Sequence, residues 1–296
     1  MIRPNLVVGV VILMGLAVTA QLGAEPAVRA FVSIPPQAYF VERVGGERVA
    51  VEVMVGPGRS PTDYAPTPKQ MAALSRADVY FSIGVPFEAV WLSRIRDANP
   101  AVRVVDTRRG TKLRRIDEGE HGDAGHEGHH GHEAGALDPH IWLSPRLAKL
   151  QARTVLLTLC DVDPAGRAAY EAGFASFVRD VDELDNRILF SMQNLPSRTL
   201  MVFHPAFGYF ADAYQLEQVA VETGGKEPSA RQITRLVEMA RERSVRVIFV
   251  QPQFSKAGAA AIAESIDGVV VPIDPLARDW LANLSRMADE VVKGLQ

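Results

Sequence analysis

Short strand patterns alternate with helical patterns along most of this chain, and this alternation limits the fold more than any other feature. The strand patterns cover 30–34, 49–55, 78–83 and 102–105 in the first half, and 199–203, 217–221, 246–250 and 269–273 in the second. A helical pattern separates each strand from the next within each half. Strands joined in this way over short connections form mainly parallel sheets. The sequence therefore predicts an α/β fold with two lobes, each a mainly parallel four-stranded sheet flanked by helices.

A long helical pattern lies between the two halves. It starts at Asp163-Pro164 and continues to about Asn194, with apolar residues at helical spacing. A helix of this length exceeds what either lobe needs, so we interpret it as one long rigid helix that bridges them. The predicted organisation is an N-terminal lobe at 25–162, a linker helix at 163–195 and a C-terminal lobe at 196–296.

Three helix starts carry recognisable capping residues. Thr67 with Gln70, and Ser229 with Gln232, have the spacing of capping boxes. Ser144 precedes Pro145, which predicts an N-cap followed by the first helical residue.

The first 24 residues have the pattern of a secretory signal peptide. Arg3 precedes an apolar run from Leu6 to Ala20 that is short for a membrane span, and small residues end it. We expect cleavage after Ala20 or Ala24 and a periplasmic protein; an uncleaved anchor helix is the alternative. The only cysteine, Cys160, lies far from the cleavage site, so no lipobox is predicted, and a single cysteine forms no internal disulfide.

The charge distribution argues against a nucleic-acid partner. The formal net charge is −3, and the lysines and arginines are scattered along the sequence. A protein that binds a phosphate backbone needs a basic face. We expect no nucleic-acid binding.

Five of the seven histidines lie in one short segment. The stretch 118–133 combines them with Gly, Asp and Glu and has no large apolar residue; the histidines are His121, His126, His129, His130 and His132. Such a segment buries too little surface to offset its ordering entropy, so it is predicted to be a mobile loop. Neutral imidazoles in this density indicate weak binding of zinc or nickel. The alternatives are neutral low complexity or a tag-like artefact.

The other two histidines and one aspartate stand where a parallel sheet binds ligands. His204 follows the strand 199–203, Asp274 follows the strand 269–273, and His140 lies on the loop that enters a helix. Ligands bind outside the carboxyl ends of such strands, so these groups are candidates for one zinc site between the lobes. Each also has a structural interpretation: a turn-forming Asp before Pro, or a histidine bonded within the core.

Four segments together resemble the high-affinity zinc-uptake solute-binding proteins, the zinc members of the cluster A-I (cluster 9) metal-binding subunits of ABC transporters. The segments are Asp138–Pro145 (DPHIWLSP), Phe203–Phe210 (FHPAFGYF), Gly225–Ser229 (GKEPS) and Phe249–Phe254 (FVQPQF). The resemblance extends from about Phe31 to the end of the chain. It implies two α/β lobes bridged by a long helix, a metal ion between them, and an inner-membrane ABC permease as partner. We expect a monomer.

By the same resemblance, His140, His204 and Asp274 correspond to three metal ligands of the family. The fourth family ligand is a histidine, and this chain has Thr62 there, followed by Asp63. Threonine is a poor zinc ligand, so water, Asp63 or a histidine of the loop is expected to complete the site. Histidine at position 204 favours Zn²⁺ over Mn²⁺, since imidazole is the softer donor.

Two other functions remain open at this stage. Two histidines, one carboxylate and an open position also describe the zinc of a hydrolase, although no His-Glu-x-x-His pair is present. A zinc-buffering protein, with the histidine loop as its principal site, is the second. A transport protein without enzymatic activity is the main prediction.

Overall fold

The computed structural model describes residues 25–116, 136–222, 224–255 and 257–296, so the predictions for 1–24 and for the histidines at 121–132 lie outside it. The N-terminal lobe comprises β1 Val28–Val32, α1 Pro35–Gly45, β2 Val49–Val53, α2 Pro68–Leu74, β3 Val79–Ser82, α3 Pro86–Ala98 and β4 Arg103–Asp106. The connecting helices are α4 Pro145–Val162 and α5 Arg167–Ser191. The C-terminal lobe comprises β5 Thr199–Val202, α6 Gly208–Tyr214, β6 Glu217–Ala220, α7 Ala230–Glu242, β7 Val247–Val250, α8 Ala257–Ser265, β8 Val269–Pro272 and α9 Trp280–Leu295.

Both lobes contain a four-stranded sheet with the same strand order. The orders are β2-β1-β3-β4 and β6-β5-β7-β8, and every pairing is parallel. The α/β class and the two parallel sheets predicted from the sequence are therefore confirmed. In each sheet the order reverses beside the first strand of the lobe, β1 or β5, and such a switch point forms a crevice at the carboxyl ends.

The helices begin and end where local chemistry allows. Thr67 and Ser229 both form the capping boxes predicted for them. Ser144 does occupy the N-cap position of α4, but its side chain makes no capping hydrogen bond. The long helix α5 has 25 residues and follows a 3₁₀ turn at Pro164–Gly166 that separates it from α4. No helix in the described ranges is both long and apolar enough to cross a membrane.

One hydrophobic core continues through both lobes. It contains buried residues of both sheets together with α1, α4, α5 and α9. At its centre the ring of Trp280 contacts Phe40 of α1, with 5.1 Å between centroids, and Phe177 of α5, at 6.1 Å. A second, smaller cluster lies under α7 and α8 of the C-terminal lobe. The shared core fixes how the two lobes face each other.

A short antiparallel ladder stands on either side of segment 117–135. Arg115 pairs with Leu137, the Ile116 amide donates to the Ala136 carbonyl at 2.9 Å, and the Asp138 amide donates to the Arg114 carbonyl at 2.9 Å. The ladder ends at Asp138, two residues before His140. We call the residues 114–116 and 136–138 the stem.

Candidate metal centre between the lobes

His140 lies on the loop between the stem and α4, at the start of the 3₁₀ turn Ile141–Leu143. Its backbone amide donates to Asp138 Oδ1 at 2.9 Å, and its ring Nδ1 lies 2.7 Å from the same oxygen. Asp138 is 1% exposed and His140 is 7% exposed. A carboxylate at Nδ1 fixes the imidazole tautomer and ring orientation, which leaves Nε2 as the nitrogen available to a metal ion.

His204 follows β5 and is held in a similar way from the C-terminal lobe. Its ring Nδ1 lies 2.5 Å from Glu222 Oε1, and Glu222 is buried just beyond β6. Its backbone amide donates to Gln251 Oε1 at 3.2 Å, while its carbonyl accepts from Gln251 Nε2 at 2.9 Å. Phe254 stacks on the imidazole with 4.8 Å between centroids. These contacts fix both the backbone and the ring plane.

The two histidines face each other across the interlobe cleft. Their ring centroids are 5.3 Å apart and their planes cross at 76°. Two imidazoles that bind one tetrahedral zinc at about 2.0–2.1 Å place their centroids roughly 5 Å apart. The pair therefore has the separation that a single ion requires.

Both lobes line the cleft, whose volume is about 30 Å³. The lining residues are Ser60, Pro61, Thr62, Val85, Pro86, Pro139, His140, Trp142, His204, Ala206, Gln253, Phe254, Pro275 and Leu276. Thr62 is thus a half-buried wall residue opposite the C-terminal lobe, whereas Asp63 is exposed and is not among those lining residues. Of the two residues considered for the fourth position, only Thr62 lines the cleft.

Hydrogen bonds near the N-terminal wall hold it in place. The Phe87 amide donates to the Pro61 carbonyl at 3.2 Å, which connects the Thr62 loop to α3. Buried Glu88 accepts from the amides of Ile83 and Gly84 at 2.9 and 2.7 Å. This carboxylate occupies the switch point of the N-terminal sheet and fixes the turn before Val85.

Asp274 lies beside the cleft and not in its lining. Its Oδ1 accepts from Gln253 Nε2 at 3.1 Å and from the Leu276 amide at 2.9 Å, and its carbonyl accepts from Asn283 Nδ2 at 2.6 Å. The side chain borders a neighbouring groove along α9. Among the described residues, no three His, Cys, Asp or Glu side chains converge as a metal site. The structure thus brings the two histidines together, while Asp274 is bonded to Gln253, a residue of the cleft lining.

Burial controls the protonation of His140. Removal from water lowers the pKa of its imidazole, and the Asp138 carboxylate only partly opposes this effect. A lowered pKa keeps the ring neutral at neutral pH. Neutral imidazole is the form that binds a metal ion.

Sequence reasoning missed the residues that orient the histidines. Glu222 was given no role from the sequence, although it stands two residues beyond the end of β6, the strand next to β5. Gln251 and Phe254 belong to the segment Phe249–Phe254, which carries the family resemblance, but neither residue was given a function from the sequence. A polar residue at the carboxyl end of a neighbouring strand was the available signal for Glu222.

Comparisons with known proteins agree with this architecture. The family model described as "Zinc-uptake complex component A periplasmic" matches residues 31–294. The high-affinity zinc uptake system protein ZnuA of Bacillus subtilis (strain 168) is 29% identical over 78% of this chain and 73% of its own length. The manganese-binding lipoprotein MntA of Halalkalibacterium halodurans is 27% identical over 73% of this chain and 68% of its own.

A solved structure shows the same fold. A ZnuA deletion mutant crystallised with zinc bound superimposes with a TM-score of 0.82 and 38% identity, covering 91% of this chain and 98% of the other. Two parallel-sheet lobes, a long connecting helix and a cleft with two oriented histidines define an extracytoplasmic metal-binding solute-binding protein. The chain belongs to the family of periplasmic zinc-uptake components, as the match over nearly its whole length shows.

Proposed function

We propose that this protein captures Zn²⁺ in the interlobe cleft and delivers it to the membrane permease of an ABC importer. The observation that carries the proposal is the histidine pair, with centroids 5.3 Å apart and each Nδ1 held by a buried carboxylate. Family membership and the zinc-uptake relative from Bacillus subtilis support the same function. The ion is cargo, so the site must release it as well as bind it.

His140 and His204 are the first two ligands in this proposal, and Asp274 is the third. To reach the ion, the Asp274 side chain turns from Gln253 toward the cleft that Pro275 and Leu276 already line. Water completes the shell beside Thr62, since a neutral hydroxyl is a weak zinc donor. Asp63 is the weaker candidate because it is exposed outside the cleft lining.

Zinc is preferred over manganese because two imidazoles dominate the site. Nitrogen donors suit Zn²⁺, whereas Mn²⁺ favours carboxylate and water oxygens. The manganese-binding relative from Halalkalibacterium halodurans makes Mn²⁺ the alternative to test. The histidine segment at 118–133 supplies further, weaker zinc sites in the proposal; zinc buffering by that segment alone is the competing function.

Transport without catalysis is the function we infer. A zinc hydrolase needs a general base beside its metal-bound water. Asp138 and Glu222 are both bonded to a histidine Nδ1. They orient ligands, which argues against a role as base.

Export and a monomeric state complete the proposal. Residues 1–24 act as a cleavable signal peptide that delivers the protein to the periplasm, without a lipid anchor. Intact-mass measurement of the protein purified from the periplasm should give a new N-terminus at residue 21 or 25. Light scattering of the zinc-loaded protein should give the mass of one chain.

Calorimetric titration tests the cleft directly. Zn²⁺ is titrated into the wild type, into His204→Ala and into a deletion of 118–133. We expect one tight site in the wild type and in the deletion, and its loss in His204→Ala. Tight binding that survives His204→Ala but disappears with the deletion would contradict the cleft site. A parallel titration with Mn²⁺ decides between the two metals.

A further inference from the structure

The loop that carries His140 belongs to the N-terminal lobe in sequence, yet three side-chain hydrogen bonds attach it to the C-terminal lobe. Tyr209 Oη donates to the Asp138 carbonyl at 3.0 Å. Trp142 Nε1 donates to the Pro275 carbonyl at 2.7 Å, and Trp280 Nε1 donates to the Trp142 carbonyl at 2.8 Å. Tyr209, Trp142 and Trp280 are all at most 6% exposed. Buried bonds of this kind are costly to break, because a carbonyl left without a donor inside the protein loses its solvation.

These bonds flank the metal-binding histidine on both sides. Tyr209 holds the residue two positions before His140, and the tryptophans hold the residue two positions after it. Asp138 is also the residue whose carboxylate orients the imidazole, so a shift of its backbone would move the ring. Tyr209 stands five residues after His204, at the start of α6. One short piece of the C-terminal lobe therefore carries one histidine and holds the loop of the other.

We propose that Tyr209 and Trp142 are positioning residues that fix His140 against His204, so that the histidine pair is assembled before a cation arrives. This inference rests on the proposed function and adds how the site is organised although Thr62 stands at the position of the family's fourth ligand, a histidine. A preassembled pair saves the ordering cost that flexible ligands would incur on binding. Because the pair is tied to one lobe, movement of the wall at Thr62 would leave it intact.

Two conservative substitutions remove the bonds while keeping a ring in place. Tyr209→Phe deletes only the hydroxyl, and Trp142→Phe deletes the indole N–H but retains an aromatic ring beside His140. Tyr170→Phe and Trp91→Phe are the matched controls. Tyr170 donates a partly buried hydroxyl bond to Asp163, and neither residue lines the cleft; Trp91 is half-buried on α3 and also lies outside the cleft lining.

Three measurements on the full chain test the proposal. Hydrogen exchange on the metal-free protein should show faster exchange over 138–143 in both test variants and in neither control. Zn²⁺ affinity should fall by about tenfold in the test variants, as for other residues that orient metal ligands. The visible absorption of the Co²⁺-loaded protein should change as well, since it reports ligand geometry at the ion and does not follow general stability.

The outcomes separate this inference from the proposed function. The positioning role is overturned if the test variants match the controls in hydrogen exchange, Zn²⁺ affinity and Co²⁺ spectrum. It is also overturned if hydrogen exchange is faster in the test variants while their affinity and spectrum stay those of the wild type. If the wild type binds neither ion tightly, the proposed function fails, and the exchange data on the metal-free protein then decide whether the loop is held as described. If either Tyr209→Phe or Trp142→Phe does not fold, the other variant still tests the positioning role.

Discussion

Each histidine of the cleft is bonded through Nδ1 to a buried carboxylate, Asp138 for His140 and Glu222 for His204. Such a pair makes the imidazole a stronger donor, because the carboxylate stabilises the positive charge that develops on the ring when Nε2 binds a cation. The two carboxylates come from different lobes and different local structures. The same carboxylate–histidine arrangement therefore occurs twice around one cleft.

Glu222→Gln should weaken zinc binding while leaving the fold intact. Glutamine keeps the size and a hydrogen-bonding oxygen but removes the charge, so the expected loss of affinity is about 10- to 100-fold. Calorimetric titration with Zn²⁺ measures it. Glu217→Gln, an exposed change at the start of β6, is the control; equal affinities in the two variants would contradict a role for the Glu222 charge.

Thr62→His should strengthen zinc binding. Position 62 lines the cleft opposite the histidine pair, so an imidazole there adds a nitrogen donor in place of water. We expect the affinity to rise by at least about tenfold, equivalent to ~1.4 kcal/mol. Competition with a chelator of known affinity measures the change. Asp63→His places the same side chain one residue away, outside the lining, and should have little effect.

The sequence predicted both histidines from element boundaries beside a proline: His140 lies on the loop before a helix, and His204 directly follows a strand. It did not predict Glu222 as the partner of His204, since these residues are 18 positions apart and the register of β5 with β6 brings them together. Asp274 as a ligand stays a prediction. Its carboxylate is bonded to Gln253, and a sequence pattern does not reveal which polar neighbour a side chain selects.

Among the contacts between secondary-structure elements, those of one aspartate hold the junction of α4 and α5. Asp163 Oδ2 accepts from Tyr170 Oη at 2.6 Å and from Arg48 Nε and Nη2 at 2.9 and 2.7 Å. The hydrogen bonds from Tyr170 and Arg48 lower the pKa of the Asp163 carboxyl. The ionised carboxylate thus holds the helix junction to the turn before β2.

Asp163→Asn should destabilise the protein at neutral pH and less so in acid. A lowered folded-state pKa contributes stability above the unfolded-state pKa of about 4, and this contribution is lost as the pH falls through the folded-state pKa. The difference in unfolding free energy between wild type and variant should therefore be constant near pH 7 and shrink below about pH 4. Urea unfolding at several pH values measures it. A difference that grows in acid would contradict the assignment.

Gly173 permits the close approach of α5 to α1. A Cβ at this position would lie 2.6 Å from the Val44 carbonyl oxygen and 2.7 Å from that of Arg43. Gly173→Ala should therefore destabilise the protein by about 1–3 kcal/mol through overpacking, although alanine favours an isolated helix. Thermal unfolding with Gly56→Ala as control measures it, since nothing lies within 4 Å of a Cβ at Gly56. If Gly173→Ala instead stabilises the protein, α5 and α1 can move apart to accept the added methyl group, which would contradict the prediction.

Helix starts were predictable where a side chain caps the backbone and less so elsewhere. The boxes at Thr67 and Ser229 are local chemistry, so they are readable from sequence. The helix predicted from Asp163-Pro164 instead begins at Arg167, after a 3₁₀ turn. The bonds that hold Asp163 outside the helix come from Arg48, more than a hundred residues away.

At the scale of the whole molecule, the shared core predicts one unfolding transition. Buried residues of both lobes belong to one cluster, with Trp280 between α1 and α5. Far-ultraviolet circular dichroism and tryptophan fluorescence should therefore give the same unfolding midpoint in guanidinium.

Zinc at about 100 times its dissociation constant should raise the unfolding free energy by ~2.7 kcal/mol, and His204→Ala should abolish the rise. Separate transitions, with zinc affecting only one, would contradict this coupling.

The two-lobed α/β plan was predictable because strand and helix patterns alternate twice, and that alternation dictates a parallel sheet in each half. The continuity of the core between the lobes was not. Periodicity identifies the apolar face of a helix, but it does not specify which lobe that face contacts. Trp280 illustrates this: it begins the last helix of the C-terminal lobe and packs on α1, near the start of the chain.

The stem also allows the length and sequence of the segment 117–135 to change. Ile116 precedes the segment 117–135 and Ala136 follows it, and the Ile116 amide donates directly to the Ala136 carbonyl. Ends that already touch make added length inexpensive, since each doubling of a flexible connection costs only about 0.6 kcal/mol in closure entropy. The sequence between them can therefore lengthen, shorten or be exchanged without displacing His140. An encoded fluorescent reporter inserted at this point would turn the protein into a zinc sensor whose recognition site is left untouched.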